Sequence, residues 1–182
     1  MNTNLNYFGS GWIGLTHLIT AMLALLFGTL SLWQAKGTPA HKRIGYGYAV
    51  SMIIMLLSAF LLYNLFGRWG VFHWAAVVSS LTLAAGLIPV ILKTKNQLTL
   101  HFAFMYWSVM GLYGALIAEG MIRLPRVVLE RGIPASTFYT ITGFAVGATM
   151  VAGGIFFIKL SASWQHQFNR LYINNKNHIK LN

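Results

Sequence analysis

The chain has 182 residues, of which 57% are hydrophobic and 8% charged, and its mean hydropathy is +0.63. Soluble domains carry about 25% charged residues, so this composition excludes a soluble globular protein and predicts an integral membrane protein. Thirteen Lys and Arg against two acidic residues give a formal charge of +11. These bases sit at the ends of apolar runs, where they set topology and meet anionic lipid headgroups, so nucleic acid is not an expected partner. With no cysteine, disulfides, thiolate metal centres and a cysteine nucleophile are excluded.

Five apolar runs, near residues 12–34, 44–66, 70–92, 98–122 and 136–158, are each long enough for a hydrocarbon core of roughly 30 Å. The expected fold is all-α: a single transmembrane domain over 12–158, with helices one to four forming a bundle core. Residues 1–11 are read as an outer N-terminal tail. No basic residue precedes Lys36 and no small-residue cleavage site follows the first run, so that run is expected to be a retained span. Trp12 is placed to anchor it at the interface. Within it, Gly14, His17, Ala21, Ala24, Gly28 and Ser31 recur at three- and four-residue intervals, a stripe that admits a close helix or a flat cofactor.

Gly37 and Pro39 are expected to break the chain into a first inner loop that includes His41, Lys42 and Arg43. Helix two carries Tyr46, Tyr48, Ser51 and Ser58 as its polar component. After the short turn FGRWG, helix three opens with His73 between Trp69 and Trp74, and Pro89 lies near its far end. Helix four, HFAFMYWSVMGLYGALIAEGMIR, is the most informative stretch: His101, Met105, Ser108, Leu112, Ala115 and Glu119 share one face. Ionisable groups inside a span are costly and point to function. Arg123 follows Glu119 by four residues, a favourable spacing for an ion pair. A long outer loop precedes helix five, which has neither histidine nor charge up to residue 158. Residues 159–182 read as a basic cytoplasmic tail, and its His166 and His178 carry no signal.

With the N-terminus outside, the inner side holds Lys36, Lys42, Arg43, Lys93, Lys95, Lys159, Arg170, Lys176 and Lys180. The outer side holds Arg68, Arg123, Arg126 and Arg131. Nine against four favours N-out and C-in.

Four histidines then sort by side: His17 and His73 near the outer face, His41 and His101 near the inner face. From their aromatic anchors, His17 is about 8 Å and His73 about 6 Å deep at the helical rise. In an up-and-down bundle helices one and three are diagonal, as are two and four. Two diagonal histidine pairs are the arrangement that ligates two b-type hemes through both axial positions, and would carry electrons across the membrane. Lys42, Arg43 and Lys95 inside, and Arg68 and Arg123 outside, are the cations available to heme propionates. Three alternatives stand beside it. His17, His73 and Glu119 could hold zinc or another transition ion. His101, Tyr106, Ser108, Tyr113 and Glu119 could line a path for a proton or small solute. The histidines could also serve packing, with no cofactor and no enzymatic activity.

The segments KGTPAHKRIGYGYAVSM and LTLHFAFMYWSVMGLYGALIAEGMIRLP resemble a bacterial family of small multi-pass membrane proteins, catalogued as domain of unknown function 2306. His41, Arg43 and Gly45 match the first part of its pattern, and His101, Met105 and Arg123 the second. Where members often carry basic residues after the second histidine, this chain has Phe102 and Ala103. The resemblance covers helices two to four and implies a polytopic protein of the bacterial cytoplasmic membrane, without implying an activity. The alternating histidines also resemble, in pattern alone, the diheme b-type transmembrane cytochromes. Membrane lipids, and either a second copy of the chain or a redox partner, are the partners expected.

Overall fold

The computed structural model describes residues 11–62, 69–128 and 135–180, and in these the chain is helical with short connections. The helices are α1 (Gly11–Trp33), α2 (Pro39–Leu61), α3 (Val71–Ile91), α4 (Gln97–Val128) and α5 (Ala135–Lys180). Each contains a stretch long and apolar enough to cross a membrane. The N-terminal tail, most of the FGRWG turn and the centre of the loop before α5 lie outside the described residues.

Three boundaries differ from expectation: α4 runs on through Pro125 to Val128, into the stretch expected as the outer loop, and the other two have identifiable reasons. Pro39 starts α2 instead of ending α1. It occupies the first helical turn, where its missing N–H costs nothing and its fixed φ suits the helix. Thr38 caps it, its hydroxyl accepting from the His41 N–H at 3.2 Å. His41, Lys42 and Arg43 are therefore helical residues and not loop residues. At the other end of the chain, residues 159–180 continue α5 without a break. That stretch contains neither Gly nor Pro, so nothing in it terminates a helix.

Helices α1 to α4 form a ring in chain order: α1 packs on α2, α2 on α3, α3 on α4 and α4 on α1. The diagonals α1/α3 and α2/α4 have no close backbone approach among the described residues. Helix α5 lies outside the ring, against α4. The core is filled by Ala24, Tyr48, Met52, Met55, Leu56, Ala76, Leu83, Val109 and Leu112. Leu15, Ile19, Met22, Leu26, Leu57, Leu81 and Phe144 are among the apolar side chains that face outward, as a lipid-facing surface requires. Glycines bring the helices together: a Cβ on Gly28 would lie 2.9 Å from the Tyr48 ring, and one on Gly86 2.8 Å from Met105 Sδ. At Gly28 the small-residue stripe of α1 is thus taken up by the Tyr48 and Val109 side chains. At the end of α3, Lys93 adopts φ 53°, the left-handed turn by which many helices stop.

Helix α4 is the hub. It packs on α1, α3 and α5, and Ser108 reaches across the ring to the Tyr48 hydroxyl of α2 at 2.7 Å.

Candidate functional site: two histidine-bearing ends

Up-and-down topology puts His41 and His101 at the end marked by Lys36, and His17, His73 and Glu119 at the end marked by Trp12. The Lys36 end is assembled from every helix. The His101 Nδ1 is 2.8 Å from the Gly86 carbonyl oxygen of α3. A carbonyl can only accept, so Nδ1 carries the hydrogen and the neutral ring keeps its lone pair on Nε2. His41, on the diagonal helix, has its Nδ1 3.4 Å from Ser31 Oγ of α1. It lies within electrostatic reach of both Lys36 and His101.

Lys36 itself comes from the α1–α2 connection and turns back. Its Nζ donates to the carbonyls of Ser31 and Leu32, at 2.7 and 2.9 Å. These are terminal carbonyls of α1 that the helix leaves without an internal donor. The same ammonium lies 5.0 Å from the centroid of the Trp164 ring of α5. Trp164 is buried and packs edge-on to Phe102, with centroids 3.8 Å apart. Lys42, Arg43 and Lys95, the cations expected at this end, are exposed.

Burial pushes the Lys36 ammonium down to about 8 from 10.5; the carbonyls and ring face favour the charge, and desolvation outweighs them. A base with a lowered folded-state value is the harder of the two states to protonate, so folding is penalised at pH below about 8. The penalty is relieved as pH rises toward 10.5, because the unfolded chain then binds more protons than the folded one. The melting temperature of the wild type relative to Lys36→Met should therefore climb between pH 8 and 10.5. A constant difference across that window would count against a buried, strained charge.

At the Trp12 end, His17 Nδ1 lies 3.1 Å from both the Met55 carbonyl oxygen and Ser58 Oγ of α2. Its Nε2 is 4.0 Å from Glu119 Oε1 of α4. His73 is engaged locally: its Nδ1 accepts from the Gly70 N–H at 3.1 Å, and its ring stacks on Trp69 with centroids 4.9 Å apart. Nδ1 being an acceptor, the neutral His73 ring carries its hydrogen on Nε2. Among the described residues no three His, Asp or Glu side chains come together as a metal-holding group; His17 and Glu119 meet, and His73 does not complete a set with them. The side chains of Arg68 and Arg123 lie outside the described residues.

Between the ends, the remaining polar residues of α4 are used as ties between helices. Tyr106 donates to the Gly153 carbonyl of α5 at 2.6 Å, and the Tyr113 and Thr29 hydroxyls are 2.6 Å apart. Of the residues that build these ends, sequence reasoning passed over Lys36 as one cation among several and Trp164 as part of a tail. The available signals were weak: a lysine just past a helix end, and a tryptophan just past an apolar run.

In comparisons with known proteins no family model matches the chain, and no curated protein or solved structure does either.

Proposed function

We propose that the chain is a heme-binding, redox-linked membrane protein, holding one b-type heme at the Lys36 end between His41 and His101. One observation carries this reading: the hydrogen bond from His101 Nδ1 to the Gly86 carbonyl. Histidines that ligate a metal commonly give their other N–H to a carbonyl or carboxylate, which fixes the tautomer and aims the ring. The donor chemistry at this end fits the group. Two imidazoles stand on diagonal helices, His101 with an available Nε2, and Lys36 supplies a half-buried cation for a propionate. Bound heme supplies one-electron chemistry, and the protein sets its potential through ligands, burial and hydrogen bonds.

The Trp12 end does not fit in the same way. To ligate iron through Nε2, His73 would have to give up its bond to Gly70. The reading therefore keeps His41 and His101 as ligands and leaves His17 and His73 outside the heme site. The asymmetry of basic residues supports an orientation with the Trp12 end outside, and the resemblance to domain of unknown function 2306 supports a bacterial cytoplasmic membrane. Electron exchange then requires a redox partner at the Lys36 end.

The test is the visible spectrum of the full chain purified in mild detergent from heme-replete cells, before and after dithionite. The expected result is a Soret band with sharp reduced α and β bands that disappear in His101→Ala and persist in His73→Ala. A colourless protein, or bands indifferent to His101, would remove the proposal.

A further inference from the structure

We infer that the Lys36 end carries a binding site for one anionic phospholipid, formed by the first turns of α2 and the neighbouring α3–α4 connection, with Lys42, Arg43, Lys93 and Lys95 as its cations. The inference involves no histidine and stands apart from the heme reading.

Topology brings the four cations to one place. Helix α2 starts and α3 stops at this end, and the two helices pack on each other. Lys42 and Arg43 lie in the first two turns of α2, Lys93 and Lys95 in the connection that follows α3, and all four side chains are exposed. Among the described residues nothing neutralises them. The chain has two acidic side chains: Glu119 is at the opposite end, beside His17, and Glu130 lies outside the described residues. No ion pair or side-chain hydrogen bond engages any of the four among the described residues.

Lys93 adds an observation of its own. Helix α3 ends with the Thr94 N–H donating to the Pro89 carbonyl at 3.0 Å and the Lys93 N–H to the Val90 carbonyl at 3.4 Å. That pair of bonds places residue 93 in the left-handed region, at φ 53°, where glycine is usual and any other side chain strains the backbone. Among the described residues no other non-glycine has a positive φ. A lysine held at such a position marks a use for its charge.

The flanking residues favour a lipid over a soluble acidic partner. Ile91 and Leu92, immediately before Lys93, are 71% and 67% exposed, and Tyr46, one turn after Lys42, is 74% exposed. A phospholipid meets both kinds of surface at once. Its phosphate accepts from the ammonium groups and from the planar Arg43 guanidinium, and its acyl chains cover the apolar side chains. Both helices are long and apolar enough to cross a membrane, so their ends lie at the level of the headgroups.

The experiment uses the full chain, delipidated in mild detergent at about 0.15 M salt, which screens exposed charges more than about 8 Å apart. Melting is followed as dioleoyl phosphatidylglycerol, dioleoyl phosphatidylcholine or inorganic phosphate is added. Phosphatidylglycerol should raise the melting temperature at a concentration at least about tenfold lower than phosphatidylcholine, and phosphate alone should not raise it. Arg43→Gln and Lys93→Gly should each reduce this preference by about fivefold, the worth of one cation at an anionic surface. Lys93→Gly should also melt higher than the wild type without lipid, because glycine relieves the left-handed turn, so its loss of preference cannot come from misfolding. Lys159→Gln, which removes an exposed lysine of α5 outside the ring, should leave the preference intact. An equal response to the two lipids, stabilisation by phosphate alone, or an unchanged preference in Lys93→Gly would overturn the inference. So would an equal loss in Lys159→Gln, which would mean diffuse attraction to the whole basic end.

Discussion

Trp164→Ala should detach α5 from the Lys36 end and lower stability by about 3–5 kcal/mol, the usual cost of truncating a buried aromatic. The indole is 5% exposed. It packs on Phe102 and Tyr106, with ring centroids 3.8 and 6.1 Å away, and lies against the Lys36 ammonium. No other helix of the ring packs along α5, so once the indole is gone this end is held to α4 by Phe157 against Phe102 and Tyr106 and by the Tyr106 bond to Gly153. Two readouts follow. The melting temperature in detergent should fall, and trypsin should cut more readily at Lys159 and Arg170, on either side of the lost contact. Trp164→Phe should recover part of both, since it restores an aromatic face for Lys36 and Phe102. A variant with wild-type melting and wild-type cleavage would mean that α5 is held by its apolar span alone.

Gly28→Ala should cost about 1–3 kcal/mol through overpacking, even though alanine is the better helix former. The new Cβ would lie 2.9 Å from Tyr48 Cε2 and 3.0 Å from Val109 Cγ2. Tyr48 has no room to withdraw: it is 1% exposed and its hydroxyl is tied to Ser108 across the ring. Relief requires α1 to move outward, which loosens the contacts of Ala24 and Leu25 with the core. Gly111→Ala is the matched control. Nothing lies within 4 Å of a Cβ there, so the substitution should be neutral, or stabilising by up to about 1 kcal/mol from helix propensity. Parallel unfolding curves of the two variants distinguish steric closeness from a general intolerance of glycine replacement; equal losses would argue against the close approach.

Local information carried much of the architecture. Hydropathy over each run is a property of neighbouring residues, and crossing a hydrocarbon core forces every backbone polar group into a helix, so five helices and their alternating direction were legible in the residues alone. Alternation also put His17 and His73 at one end and His41 and His101 at the other without reference to any contact. Helix ends were less legible. Pro39 carries the signal of a breaker and of a first-turn residue at once, and Thr38 immediately before it decides for the latter. The end of α5 was read from loss of hydropathy, which limits a membrane span but does not stop a helix.

The residues by themselves therefore determined the class of the protein, its helices and the end to which each ionisable group belongs, because those depend on hydropathy and on chain direction. Only the tertiary structure decided which groups meet. The rotation of each helix is fixed by where glycine and alanine let a neighbour close in, as Gly28 does for Tyr48 and Gly86 for Met105, and a rotation of a few tens of degrees changes every partner. So it is packing that brings Glu119 to His17, turns His73 onto Gly70 and Trp69, ties His101 to Gly86, and brings Lys36 back over Trp164. For His73 and His101 the position of the ring hydrogen follows from those partners, Gly70 N–H for the one and the Gly86 carbonyl for the other, and no reading of the residues in order could have supplied it.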